Sequence, residues 1–170
     1  MSTSKAWLER YSDAWSKQII AGGDPDGPVM QEVLSAYNPD ARYLDVPSGA
    51  AWVGREAIGQ MFIISYDFSN DYEIEIRRMF TDGKFFAMEG EATGSNHTQI
   101  GVYGQRAIVP FGSIGSFDDD GLVLEHHDHW DRKGWLVQIG AEEPHHWLMR
   151  REDWRGADKS VGPGLYEPGR

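Results

Sequence analysis

Asp128 and His126 stand two residues apart in Asp118–Asp131, where an acidic turn gives way to alternating apolar and ionisable residues. The side chains of a strand alternate between its faces. Leu122, Leu124, His126, Asp128 and Trp130 are therefore expected on one side, with Val123, Glu125, His127, His129 and Asp131 on the other. A carboxyl and an imidazole on a face otherwise made of leucine and tryptophan are either paired or tuned by loss of water. Burial lifts the carboxyl's pKa, whereas a protonated histidine beside it lowers it. A base lifted toward neutrality, together with a donor for a developing oxyanion, is what proton transfer at carbon requires without a coenzyme. Asp128 and His126 are accordingly candidate catalytic residues.

The density of histidine raises a metal as the competing chemistry. His127 and His129 form an i, i+2 pair on the outer face, and His145 and His146 could add a ligand. No fixed spacing supplies a third ligand, the chain has no cysteine, and the run Asp118–Asp120 resembles no calcium loop. Neither a metal nor a cofactor is expected.

These residues have to be positioned by the rest of the chain. Apolar residues at Trp7, Leu8, Tyr11, Trp15 and Ile19 give a helix over Lys5–Ile20 with one buried stripe. Ala21–Pro28 is dense in turn formers, and a second helix follows over Val29–Tyr37 until Asn38-Pro39 stops it. Ala41–Val46 reads as a strand that turns at Pro47-Ser48-Gly49 into Trp52-Val53, and Gly54–Tyr66 resumes helical spacing. Strands follow over Tyr72–Phe80, Phe85–Thr93 and Gln105–Phe117. Between the last two, Gly94–Gly104 is a loop or the irregular end of long strands and carries His97. Gly134–Gly140 reads as one helical turn. Three helices and then a run of antiparallel strands imply an α+β domain, a cone-shaped curved sheet covered by N-terminal helices and enclosing a pocket. That domain is expected over residues 1–140. Residues 141–170 form a charged, Gly- and Pro-containing extension whose Trp147, Leu148, Met149 and Trp154 would pack on the domain or on a partner subunit.

Composition narrows the partners. With 170 residues the chain fits one core with an internal cavity, and its net charge of -11 repels phosphate backbones and anionic lipid surfaces. Nucleic acid and membrane are therefore not expected partners. The start of the chain is too polar for a secretory signal, and a cytoplasmic protein is expected. Seven each of tryptophan, tyrosine and phenylalanine exceed what a small core demands, so some should line the cavity. Trp15, Tyr43, Trp52, Phe62, Phe111 and Trp130 are the candidates for holding a flat aromatic or polycyclic molecule. The outer face of the sheet is expected to pair with a second copy, giving a homodimer.

Three stretches carry a family likeness: AYNPDARYLDVPSGAAWVGREAIGQMF (Ala36–Phe62), GSNHTQIG (Gly94–Gly101), and FDDDGLVLEHHDHWD (Phe117–Asp131) with the following GWLVQIG. Together they resemble the nuclear transport factor 2-like superfamily and, within it, the SnoaL-like polyketide cyclase group. Ketosteroid isomerases and limonene epoxide hydrolases are relatives in the same superfamily. The resemblance implies that Asp128 occupies the catalytic aspartate position on the last long strand. It makes His97 similar to the histidine of the cyclases' loop, Asp45 similar in placement to the isomerase general base, and Tyr11 similar to the isomerase oxyanion tyrosine. The isomerase's second oxyanion acid would fall near Ser113, which cannot replace it, and no Arg-x-Asp pair of the epoxide hydrolase kind occurs in Phe85–Thr93. The implied activity is a cofactor-free lyase, cyclase or isomerase step: aldol or retro-aldol reaction, dehydration, or double-bond shift. Because the fold hosts many chemistries, a non-catalytic binding or assembly domain and an epoxide hydrolase stand as alternatives.

Overall fold

The computed structural model describes residues 3–141; the expected extension, with His145, His146, Trp147 and Trp154, lies outside them. Its elements run α1 (Thr3–Ser16), α2 (Gln18–Gly23), α3 (Pro28–Ser35), β1 (Tyr37–Asp45), β2 (Ala50–Val53), α4 (Arg55–Phe68), β3 (Glu73–Asp82), β4 (Phe85–His97), a 3-10 turn (Thr98–Ile100), β5 (Val102–Phe117), β6 (Val123–Trp130) and α5 (Arg132–Gln138).

The six strands form one sheet in the order β2-β1-β6-β5-β4-β3. All neighbours are antiparallel except β1 and β6, which run parallel. The wholly antiparallel expectation is thus corrected at this one join. It is also the join that matters most, because it sets Tyr43 beside His126 and Asp45 beside Asp128. Every ladder except β1–β2 carries a register shift, and such irregularities bend strands and increase their twist. The sheet therefore curves around the helices on its inner face.

The first expected helix is two helices. The chain leaves helical geometry at Lys17 (φ -90°, ψ 2°), and α2 then carries Gln18 and Ile19. Lys17 reaches Asp13 and Glu32 at 2.8 and 2.7 Å. Tyr37 begins β1 instead of ending a helix, because Pro39 favours an extended residue before it and offers no N–H to the ladder; the β1–β6 register shifts across this segment. The alternation expected for β6 also fails at its start. Phe117 faces Val123 and Ser116 faces Glu125, so Leu124 is the extra residue of a bulge. Val123 is consequently buried and Leu124 exposed, the reverse of the expected facing. Beyond the bulge His126, Asp128 and Trp130 turn inward.

The core lies between the helices and the inner face of the sheet and includes Leu8, Tyr11, Trp15, Val33, Tyr37, Ile58, Phe62, Phe86 and Phe117. Glycines make room for rings on that face. A β-carbon on Gly115 would collide with the Glu125 carbonyl and the Phe86 ring, and one on Gly94 with the Tyr72 ring. A smaller cluster, Ala107, Val109, Trp135 and Ile139, packs α5 on the far part of β5. Gln138 fixes this helix by exchanging two hydrogen bonds of 2.9 Å with the backbone of Ile108. No helix among the described residues is long and apolar enough to cross a membrane.

Candidate active site

A cavity of about 590 Å³ opens between the sheet and helices α1, α2, α4 and α5. Its exposed lining residues, Ser48, Ile64, Gln99 and Arg132, mark the mouth. Most of the wall is aromatic or aliphatic, including Trp15, Tyr43, Trp52, Phe111 and Trp130 from the expected substrate-binding set. Phe62 departs from that set. Helical geometry turns Met61, Ile64, Ser65 and Phe68 of α4 to the cavity, and Phe62, fully buried, faces Tyr37 behind the wall.

Asp128 is the ionisable centre of the cavity wall. Its Oδ1 accepts 2.8 Å from the Ser113 hydroxyl, the residue opposite it on β5. Its Oδ2 accepts 3.1 Å from the Tyr43 hydroxyl of β1. Both bonds favour the charged form, yet burial outweighs them, and with repulsion from Asp45 it raises the carboxyl from 3.8 to about 6. The alternative of a stabilising protonated histidine does not arise. Burial, with smaller contributions from His127 and His129, lowers His126 to about 3, so its ring is neutral at pH 7.

His126 lies in the wall behind Asp128 instead of facing the cavity. Its Nδ1 is 2.5 Å from the Tyr11 hydroxyl, which is 2.8 Å from that of Tyr37. Its ring stacks on Tyr43 (centroids 4.5 Å apart, 12° between planes) and on Trp15. The imidazole therefore acts on the cavity through Tyr43, whose hydroxyl holds Asp128. Tyr11 is also fully buried, among Tyr37, Phe86 and Phe117. Burial raises its hydroxyl well above 10, and the tyrosines that line the cavity are instead Tyr43 and Tyr72.

Asp45 lines the cavity next to Asp128, but both of its oxygens are engaged. Oδ1 accepts from Trp130 Nε1 at 2.8 Å and Oδ2 from Ser48 at 2.5 Å. The carboxylate thus orients the Trp130 ring and the turn into β2. His97 is fully buried at the end of β4, where its Nε2–H donates 2.8 Å to the Gln105 carbonyl. It packs edge-on against Tyr72 and Trp135, which separate it from the cavity they line.

The structure thus brings Asp128, Asp45 and Tyr43 to the cavity and sets Tyr11, His126 and His97 behind its wall. Sequence reasoning set Ser113 aside and missed Tyr72 and Trp135. The spacing of Tyr72 with Ile74 and the tryptophan in Gly134–Gly140 were the signals present. Among the described residues no three of His, Asp and Glu gather as a metal site would need.

The curved sheet, the helices on its concave side and an acid-bearing apolar cavity define an α+β fold of the nuclear transport factor 2 and ketosteroid isomerase type. The chain matches the SnoaL-like domain over residues 8–126 and belongs to that family. Among solved structures, a candidate SnoaL-like polyketide cyclase from Shewanella putrefaciens CN-32 superposes with a TM-score of 0.65 at 20% identity, covering 84% of this chain and 99% of the other. A protein of ketosteroid isomerase-like fold from Catenulispora acidiphila, in complex with trimethylamine, gives 0.63 at 18%, with 78% and 93% covered. TerC, co-crystallised with polyporic acid, gives 0.59 at 16%, with 77% and 98% covered. No curated protein matches the sequence.

Proposed function

We propose that this chain is a cofactor-independent acid/base enzyme acting on a bulky aromatic or polycyclic small molecule, in a lyase, cyclase or isomerase step. The observation that carries the reading is Asp128, a carboxyl raised to about 6 on the wall of an apolar cavity and steadied by Ser113 and Tyr43. Above that pH it is a carboxylate more basic than one in water and so suited to take a proton from carbon next to a carbonyl. The aromatic wall favours a flat molecule, and the co-crystallisation of TerC, a protein of this fold, with polyporic acid supports a small-molecule ligand. The proton returns from Asp128 to the rearranged substrate, so the enzyme is regenerated without an external group.

Screening polycyclic ketones, β-hydroxy ketones and epoxides with wild type and Asp128→Asn tests this. Turnover is expected in wild type, falling about 10²- to 10⁴-fold in the variant, with wild-type kcat/KM rising with pH to a plateau above about 6. Equal turnover by both proteins removes Asp128 from the mechanism, and no turnover by either leaves a binding domain.

A further inference from the structure

Trp15, Gln18 and Ile19 follow one another at i, i+3 and i+4 spacing across the join of α1 and α2, and all three line the cavity. Gln18 is the polar member of the three and is only 6% exposed. Its side-chain amide makes no hydrogen bond among the described residues, and its atoms are not sealed off as the indole N–H of Trp15 is. The surface that the amide keeps opens on the cavity that Gln18 lines. Packing holds α2 in this position. A β-carbon on Gly22 would collide with the Phe62 carbonyl of α4, and Lys17 ties the join to Glu32 of α3 at 2.7 Å.

A ligand that fills the cavity takes water away from this amide and loses affinity unless it supplies a partner. Which partner follows from the other polar groups of the wall. Ser48, Ser65, Ser69 and Tyr43 spend their hydroxyl hydrogens on Asp45, the Met61 carbonyl, the Asn96 carbonyl and Asp128. The unpaired N–H and O–H groups of Trp15, Tyr72 and Trp135 have no surface open to a ligand. Gln99 and Arg132 are exposed at the mouth and Trp52 is only partly buried, so solvent competes for their N–H groups. Among the described residues, the Gln18 amide is therefore the deeply buried donor left for a ligand's oxygen, whereas the ionised carboxylates of Asp45 and Asp128 only accept.

We propose that Gln18 is a specificity-determining residue of the cavity, its Nε2–H donating to a carbonyl oxygen on a flat aromatic ligand. Trp15, one turn before Gln18, stacks on the same His126 ring as Tyr43, whose hydroxyl holds Asp128. Gln18 and Asp128 thus serve one cavity of about 590 Å³, a size that takes one small molecule, so the molecule held by the amide is the one that meets the carboxyl. The proposal rests on the reading of the cavity as a small-molecule site and deepens it, because it names the substrate class as aromatic ketones and gives the helical side of the cavity the part of selecting them.

9-Fluorenone and fluorene, alike except for one carbonyl oxygen, are suitable probes. At pH 8 Asp128 is ionised and can only accept, so the probe's carbonyl gains nothing at that end. Equilibrium dialysis against the full chain is expected to show fluorenone bound more tightly than fluorene. Gln18→Met keeps the length of the side chain and removes the amide. It should weaken fluorenone about three- to tenfold, the loss of one neutral hydrogen bond, and leave fluorene no weaker, which also shows that the cavity is intact. The carbonyl stretch of bound fluorenone, lowered in wild type, should return in the variant toward its value in apolar solvent. Fluorenone bound no better than fluorene by wild type, binding of neither probe, or a preference and carbonyl stretch unmoved by Gln18→Met overturns the proposal. The acid/base reading fails by a different result, retained turnover in Asp128→Asn, whatever the fluorenone measurement gives.

Discussion

Replacing Asp128 by asparagine should stabilise the fold while abolishing its chemistry, and the gain should depend on pH in a defined way. The carboxyl rises from 3.8 to about 6 on folding because burial and Asp45 oppose its charge. At about 1.4 kcal/mol per pKa unit, that rise corresponds to about 3 kcal/mol in favour of the protonated folded state. The folded protein holds this proton more tightly than the unfolded chain, so the contribution is fully present below the unfolded pKa and is lost as pH rises through about 6. Asparagine has no charge to bury, and its amide can still meet the Ser113 and Tyr43 hydroxyls. The variant's advantage should therefore grow between about pH 4 and 6 and level off above, approaching 3 kcal/mol as an upper bound. Urea unfolding of both proteins at pH steps from 4 to 8 measures it. The wild-type curve alone would mislead, because His126, held near 3, destabilises the fold as pH falls over the same range; its contribution cancels in the difference. A difference that does not change with pH would refute the claim that Asp128 titrates abnormally.

Ser113→Ala removes a donor that favours the carboxylate. It should raise the midpoint of the kcat/KM profile by about one pH unit, given the worth of a hydrogen bond to a charged group; an unmoved midpoint would show that the serine does not tune Asp128. The homodimer expected from the sequence places the outer face of the sheet, where Ile114 and Leu124 are exposed, against a second copy. Light scattering at micromolar concentration should give twice the 19.2 kDa chain mass, and a monomer mass would remove the idea.

Much of the fold could be read from the chain because its elements have strong local signatures. The apolar stripe of Trp7, Tyr11 and Trp15, the Asp82-Gly83 turn between β3 and β4, and the alternation of β5 each follow from the residues themselves. What failed were features that depend on a neighbour. The bulge at Leu124 exists because β6 pairs with β5 across a register shift, and the break at Lys17 opens where its amine reaches Glu32 of α3. The site divides in the same way. Asp128 stood out as a carboxyl on an apolar face, and the structure sets it on the cavity wall. Tyr11 and Phe62 have the same residue types as cavity groups but, like His97, lie behind the wall, a distinction that helical or strand spacing does not encode.

Sequence alone determined the residue types available for chemistry: a carboxyl among leucines and tryptophans, an aromatic excess, no thiol, and a strongly negative charge. Only the tertiary structure decided which effect governs that carboxyl, because its pKa depends on groups far along the chain. Tyr43 and Asp45 reach it through the parallel β1–β6 join, and Ser113 reaches it across β5. Together with the depth of burial, they set the balance between desolvation and hydrogen bonding that raises the Asp128 carboxyl to about 6.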